Sequence, residues 1–118
     1  MRPLTTERQR SIDDVLNSFE AAYLEQQQRG NSYPLHLPAD IKDKLRAATS
    51  PFIGDSLTDS KIDELLGEVQ DLHRLDGRCL EFEGEEYEPE DDGYRYALSD
   101  HEDTRRQFIR YLIHQQMK

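Results

Sequence analysis

Apolar residues recur at intervals of three and four along the chain as far as Gly77, and beyond it they alternate with polar ones. A helix repeats about every 3.6 residues and a strand every two, so the two patterns predict a change from helix to strand at that point. Ile12, Val15, Leu16, Phe19, Ala22 and Tyr23 form one stripe of a helix that starts at Thr6, where Thr6 and Gln9 offer a capping box, and ends at Gly30. A connector from Asn31 to Leu37 leads to Pro38, which opens a second helix through Thr49 with Ile41, Leu45 and Ala48 facing inward. Ser50-Pro51 stops it, Phe52 and Ile53 tuck into the core, and Gly54-Asp55 turns the chain. A third helix begins at Thr58, with Leu57 and Ile62 placed as a hydrophobic staple, and runs through Leu65, Leu66, Val69 and Leu72 to Gly77.

Past Gly77, Leu80 and Phe82 alternate with Cys79, Glu81 and Glu83 as in a half-exposed strand. Asp91-Asp92-Gly93 reads as a turn, and Tyr94, Tyr96 and Leu98 alternate after it, predicting an antiparallel return strand; Pro89 confines any strand between them to an edge. Ser99 and Glu102 form a second capping box for a last helix whose buried face is Phe108, Ile109, Leu112 and Ile113. The expected fold class is α+β and mainly helical: three amphipathic helices, an acidic β-hairpin and a C-terminal helix, α-α-α-β-β-α. It forms one domain, with residues 6–77 helical, 78–98 the hairpin and 99–118 the last helix. A two-stranded hairpin is marginal alone, so it must lean on the helices through Leu80, Phe82, Tyr94, Tyr96 or Leu98.

The core is thin. Leu, Ile, Val and Phe make up 26 of 118 residues, just above the roughly one-fifth below which highly charged chains stay disordered. No segment is long and apolar enough for a membrane span, and Met1 to Glu7 lacks the apolar stretch of a secretion signal. The single cysteine, Cys79, cannot form an internal disulfide, which points to a reducing cytoplasm.

The net charge of −10 argues against direct binding to nucleic acid or anionic membrane. Its placement says more than its size. From Glu81 to Asp103 there are eleven acids against one base, Arg95, so that segment holds the whole excess and the remainder is formally neutral. Asp100, Glu102 and Asp103 are explained by the first turn of the last helix, where the backbone dipole favours carboxylates, and the latter two can reach Arg105 and Arg106. Glu81, Glu83, Glu85, Glu86, Glu88, Glu90, Asp91 and Asp92 have no base among them. Two carboxylates about 7 Å apart repel by roughly 0.6 kcal/mol in water, so the run is either a well-solvated loop or a surface kept for a cationic partner. Phe82, Tyr87, Tyr94 and Tyr96 are interleaved with these acids, and alternation would set rings and carboxylates on opposite sides of a ribbon. Either the rings anchor the ribbon and the acids face a basic groove, imitating a nucleic-acid backbone, or Tyr87 stands exposed at the tip as an anchor ringed by charge.

Arg105, one turn before Ile109, could instead neutralise the run from within. Tyr111, opposite Phe108 and Leu112, offers a second contact surface or a homodimer seam.

Catalytic and metal chemistry find little support. His36, His73, His101 and His114 include no i, i+4 pair; His73 sits on the apolar stripe of the third helix and His101 in the capping turn of the last. The calcium-loop pattern, a Gly-rich phosphate loop and an activated nucleophile are all absent, so no cofactor and no metal is expected. The sequence therefore points to a non-catalytic interaction protein, an inhibitor or regulator docking on a basic protein surface. The alternative is a structural or assembly subunit that associates through apolar helix faces.

Overall fold

The computed structural model describes residues 6–29, 38–53 and 57–117. Its elements are α1 (Thr6–Gln28), α2 (Ala39–Ile53), α3 (Asp59–His73), β1 (Leu80–Phe82), β2 (Glu85–Tyr87) and α4 (Tyr94–Gln116), which is the expected order. Gly30, the Asn31 to Leu37 connector with His36, and the Gly54-Asp55 turn lie outside the described residues. No described helix is long and apolar enough to cross a membrane.

The main core is built from the stripes read in the sequence. Ile12, Val15, Leu16 and Phe19 of α1 meet Ile41 and Leu45 of α2, Ile62, Leu65 and Val69 of α3, and Ile109 and Ile113 of α4 in one buried cluster. Thr58 caps α3 by accepting the Lys61 N–H at 3.1 Å, and Leu57 and Ile62 are both buried as the staple requires. Cross-helix ion pairs line the seams: Arg105 reaches Glu68, Arg106 reaches Glu20 and Arg110 reaches Asp13, at 2.5, 2.7 and 2.8 Å.

Two helix ends differ from expectation. α2 runs through Pro51 to Ile53 instead of stopping at Ser50-Pro51. Pro51 forfeits one backbone hydrogen bond, but burial of Ile53 and packing of Phe52 against the core keep the last turn helical. In the same helix Ala48 is exposed and Thr49 is buried in its place, its hydroxyl satisfied by donating to the Leu45 carbonyl at 2.7 Å. α3 stops at His73, and Gly77 instead supplies a φ of 87° in the loop that follows. His73 is exposed, but its ring stacks on Tyr23 of the core cluster with centres 4.9 Å apart, which sets it at the core's edge.

The larger correction concerns the hairpin. Its turn is Glu83-Gly84, and β2 is Glu85–Tyr87; Tyr94, Tyr96 and Leu98 belong to α4, which starts five residues before Ser99. Alternation and helical spacing both select Tyr94 and Leu98, and the two readings differ only in burying Tyr96 or Ala97. The protein buries Ala97 completely and leaves Tyr96 72% exposed. Asp91-Asp92-Gly93 accordingly leads into α4, with the Tyr94 N–H donating to the Asp91 carbonyl at 3.1 Å. Ser99 and Glu102 lie inside the helix, and no acid occupies its first turn, so the dipole does not account for Asp100, Glu102 and Asp103. Phe108, expected inside, is 44% exposed, because the face of α4 that enters the core is centred on Ile109 and Ile113.

Glu83 and Gly84 have φ of 52° and 82°, the positive values at both central residues that define the two-residue turn matched to strand twist. Glutamate has a Cβ that disfavours this region, unlike glycine or asparagine. Glu83→Asn should therefore stabilise the protein by about 0.5–1 kcal/mol, read as a higher midpoint in thermal or urea unfolding.

Candidate functional site

The ribbon is held on the first turns of α4. Leu80, Tyr94 and Ala97 form a second buried cluster, with Leu75, Phe82, Tyr87 and Leu98 half-buried around it. Tyr94 is the fastener. Its hydroxyl accepts from the Gly77 N–H at 3.0 Å and lies 2.9 Å from the Arg78 carbonyl and 3.3 Å from that of Leu75, so one phenol ties α4 to the loop that launches β1. In the pairing Leu80 with Tyr87, Glu81 with Glu86 and Phe82 with Glu85, a two-residue turn makes Phe82 and Glu85 the hydrogen-bonded pair. The backbone groups of Glu81 then point away from β2, and the Glu81 carbonyl meets His101 Nε2 at 2.7 Å. His101 thus sits in the second turn of α4 as a clip on the outer edge of β1, a role sequence reasoning missed. The available signal was its place seven residues after Tyr94 on the same helical face.

The same register sorts the side chains. Leu80, Phe82, Glu85 and Tyr87 share one face and Glu81 and Glu86 the other, where two carboxylates stand directly opposite each other across the strands. A like-charged cross-strand pair is unfavourable, and nothing in the fold requires it. All eight acids of the run, Glu81, Glu83, Glu85, Glu86, Glu88, Glu90, Asp91 and Asp92, are exposed. The ion pairs that join the helices draw their carboxylates from α1, α2 and α3 instead. Arg105 in particular spends its charge on Glu68, so it does not neutralise the ribbon internally.

The tyrosines divide. Tyr94 is 7% exposed with its hydroxyl fully used, and so is part of the scaffold. Tyr87 is half-buried, not an exposed tip: its ring tilts against Phe82 at 6.4 Å, and a Cβ placed on Gly93 would come within 2.5 Å of its Cε1. Burial, then the neighbouring Glu85 carboxylate that accepts its O–H, push the Tyr87 phenol above its ordinary pKa. Tyr96 alone stands out from the surface, on the outer side of α4. Where the ribbon's end meets α4 there is a groove of about 330 Å³ lined by Asp76, Pro89, Asp91, Asp92, Tyr94, Arg95 and Leu98. Asp91 partly organises its wall, accepting the Glu88 N–H at 2.8 Å. Among the described residues no three His, Cys, Asp or Glu side chains converge to hold a metal ion.

Cys79 reports on the field of the acids. Partial desolvation raises its thiol pKa, and the charges of Glu88, Glu86, Glu90 and Asp91 raise it further. A raised pKa lowers the thiolate fraction below that pKa, so alkylation at pH 8 should be slower than for a free thiol. Replacing Glu86, Glu88 and Glu90 with Gln should speed it, and added salt should do the same by screening. Tyr94→Phe should cost about 1–2 kcal/mol in unfolding free energy and expose the amides of the Leu75 to Arg78 loop to faster hydrogen exchange.

No family model matches the chain, and neither the curated proteins nor the solved structures contain a significant match to it.

Proposed function

We propose that this protein is a non-catalytic interaction module, an inhibitor or regulator that docks on a basic protein surface of the kind built to hold nucleic acid, with its ribbon carboxylates standing in for phosphates. One observation carries the reading: the acids from Glu81 to Asp92 are exposed on a fastened ribbon while Arg105, Arg106 and Arg110 of α4 are paired with Glu68, Glu20 and Asp13 instead. A solvated loop would need neither the His101 clip, which restrains the segment that carries the repulsion, nor the Tyr94 tie, which fixes the loop leading into it. The cross-strand pair of Glu81 and Glu86 gives the same support, since a charge-balanced pair at those positions would favour the hairpin. Contact would involve Glu81, Glu83, Glu85, Glu86, Glu88, Glu90, Asp91, Asp92 and the exposed Tyr96 ring, with Tyr87 shaping the ribbon from beneath.

An acid-led complex weakens as salt screens it, whereas one formed by apolar faces persists or tightens. Pull-downs from a lysate of the native host at about 0.1 M and 0.5 M NaCl separate the two. Basic proteins should be captured only at the lower salt, be displaced by added DNA, and be lost when Glu85, Glu86, Glu88 and Glu90 are replaced by Gln. Capture that survives both the salt and the substitutions would overturn the reading in favour of an assembly subunit.

A further inference from the structure

The face of α4 that the hairpin covers does not end with the hairpin. Ala97 is buried beneath β1 and His101 grips the strand's backbone, and the same stripe continues at Thr104, Phe108, Tyr111 and Gln115, all exposed and with none of the described residues over them. Phe108 and Tyr111, set on opposite sides by the sequence reading, stand three residues apart on this one face and are 44% and 55% exposed. In a chain with one-third charged residues this stretch carries none, because Arg105, Arg106 and Arg110 are turned to Glu68, Glu20 and Asp13. Tyr111 is already ordered, its hydroxyl accepting from Gln115 Nε2 at 2.7 Å, which reduces the entropy lost on contact.

We propose that this stripe is an interface for a second copy of the chain, in which the two α4 helices pack antiparallel through Phe108 and Tyr111. An uncharged stripe is self-complementary: a twofold axis brings like against like without a like-charge penalty, and a basic partner would be drawn to the ribbon instead. Charge also selects the direction. The acidic ribbon leaves α4 at Tyr94, about 23 Å from the midpoint between Phe108 and Tyr111 at 1.5 Å per residue, so an antiparallel pair holds the two ribbons at opposite ends. A parallel pair would set them side by side, within reach of repulsion that falls off over about 8 Å at physiological salt. The dimer would be two-headed, with both acidic surfaces free.

Sedimentation of the full chain from about 5 µM to 500 µM tests this. The mass should move toward the dimer with concentration, and more readily at about 0.5 M NaCl, where repulsion between two anionic copies is screened. Tyr111→Glu should weaken association about tenfold or more, with an unfolding midpoint close to the wild type's because the ring is exposed. A chain that stays monomeric throughout, or a folded Tyr111→Glu protein that associates as well as the wild type, overturns the proposal. Spin labels on Asp100→Cys in a Cys79→Ser background should lie about 28 Å apart along the helix axes in the antiparallel pair. A separation near the 8–10 Å between packed helices would overturn that arrangement. The ribbon variant with four Gln substitutions should dimerise undiminished, and Tyr111→Glu should still capture basic proteins, so the two interfaces can fail independently.

Discussion

The defined shape of the acidic surface depends on the contact between the ribbon and the first turns of α4. Two strands of three residues cannot hold themselves together in water, and these also carry opposed carboxylates. What fixes them is the small cluster of Leu80, Tyr94 and Ala97, reinforced by one phenol and one imidazole that satisfy backbone groups of β1 and its entry loop. Ala97 matters through its size, since a small residue lets the strand lie close to the helix. The anionic front therefore moves as a rigid extension of α4, which is itself rooted in the main core by Ile109 and Ile113.

The parts of this arrangement that follow from periodicity were readable in advance. The stripes of α1 and α3, the capping threonine at Thr58 and the staple of Leu57 and Ile62 are local rules, and tertiary structure had no reason to override them. Readings failed where two local rules agreed on some residues and the deciding one was ambiguous. Tyr94 and Leu98 fit strand and helix alike, and only the close approach of β1, invisible along the chain, chooses Ala97 over Tyr96 for the interior. Pro51 shows the converse, a strong local stop signal outweighed by the burial of Ile53 two residues later. The Glu83-Gly84 turn lacked the asparagine or aspartate that usually announces such a hairpin, so the more conventional Asp92-Gly93 drew the turn instead. Of the candidate site, the eight acids were plain from composition, whereas the work of Tyr94 and His101 required knowing which backbone groups β1 and the loop before it leave unpaired.

Charge is segregated by partnership as well as by position. Outside Glu81 to Asp103 acids and bases are equal in number, and many of them pair with one another across the helix seams. Surface pairs of this kind contribute little each, but they occupy the guanidinium groups of Arg29, Arg46, Arg105, Arg106 and Arg110. These side chains are turned away from the ribbon, so counterions gather at its exposed carboxylates, and their release would favour binding to any cationic surface.

The aim of the ribbon is set at a position that bears no charge. Gly93 lies under the Tyr87 ring so closely that one added carbon would collide with it, while its own backbone angles suit any residue. Enlarging that residue would lift the aromatic ring and tilt both strands relative to the helix, turning every carboxylate on them together. The direction in which the acids face can therefore change through a single uncharged position, with the acidic composition left untouched.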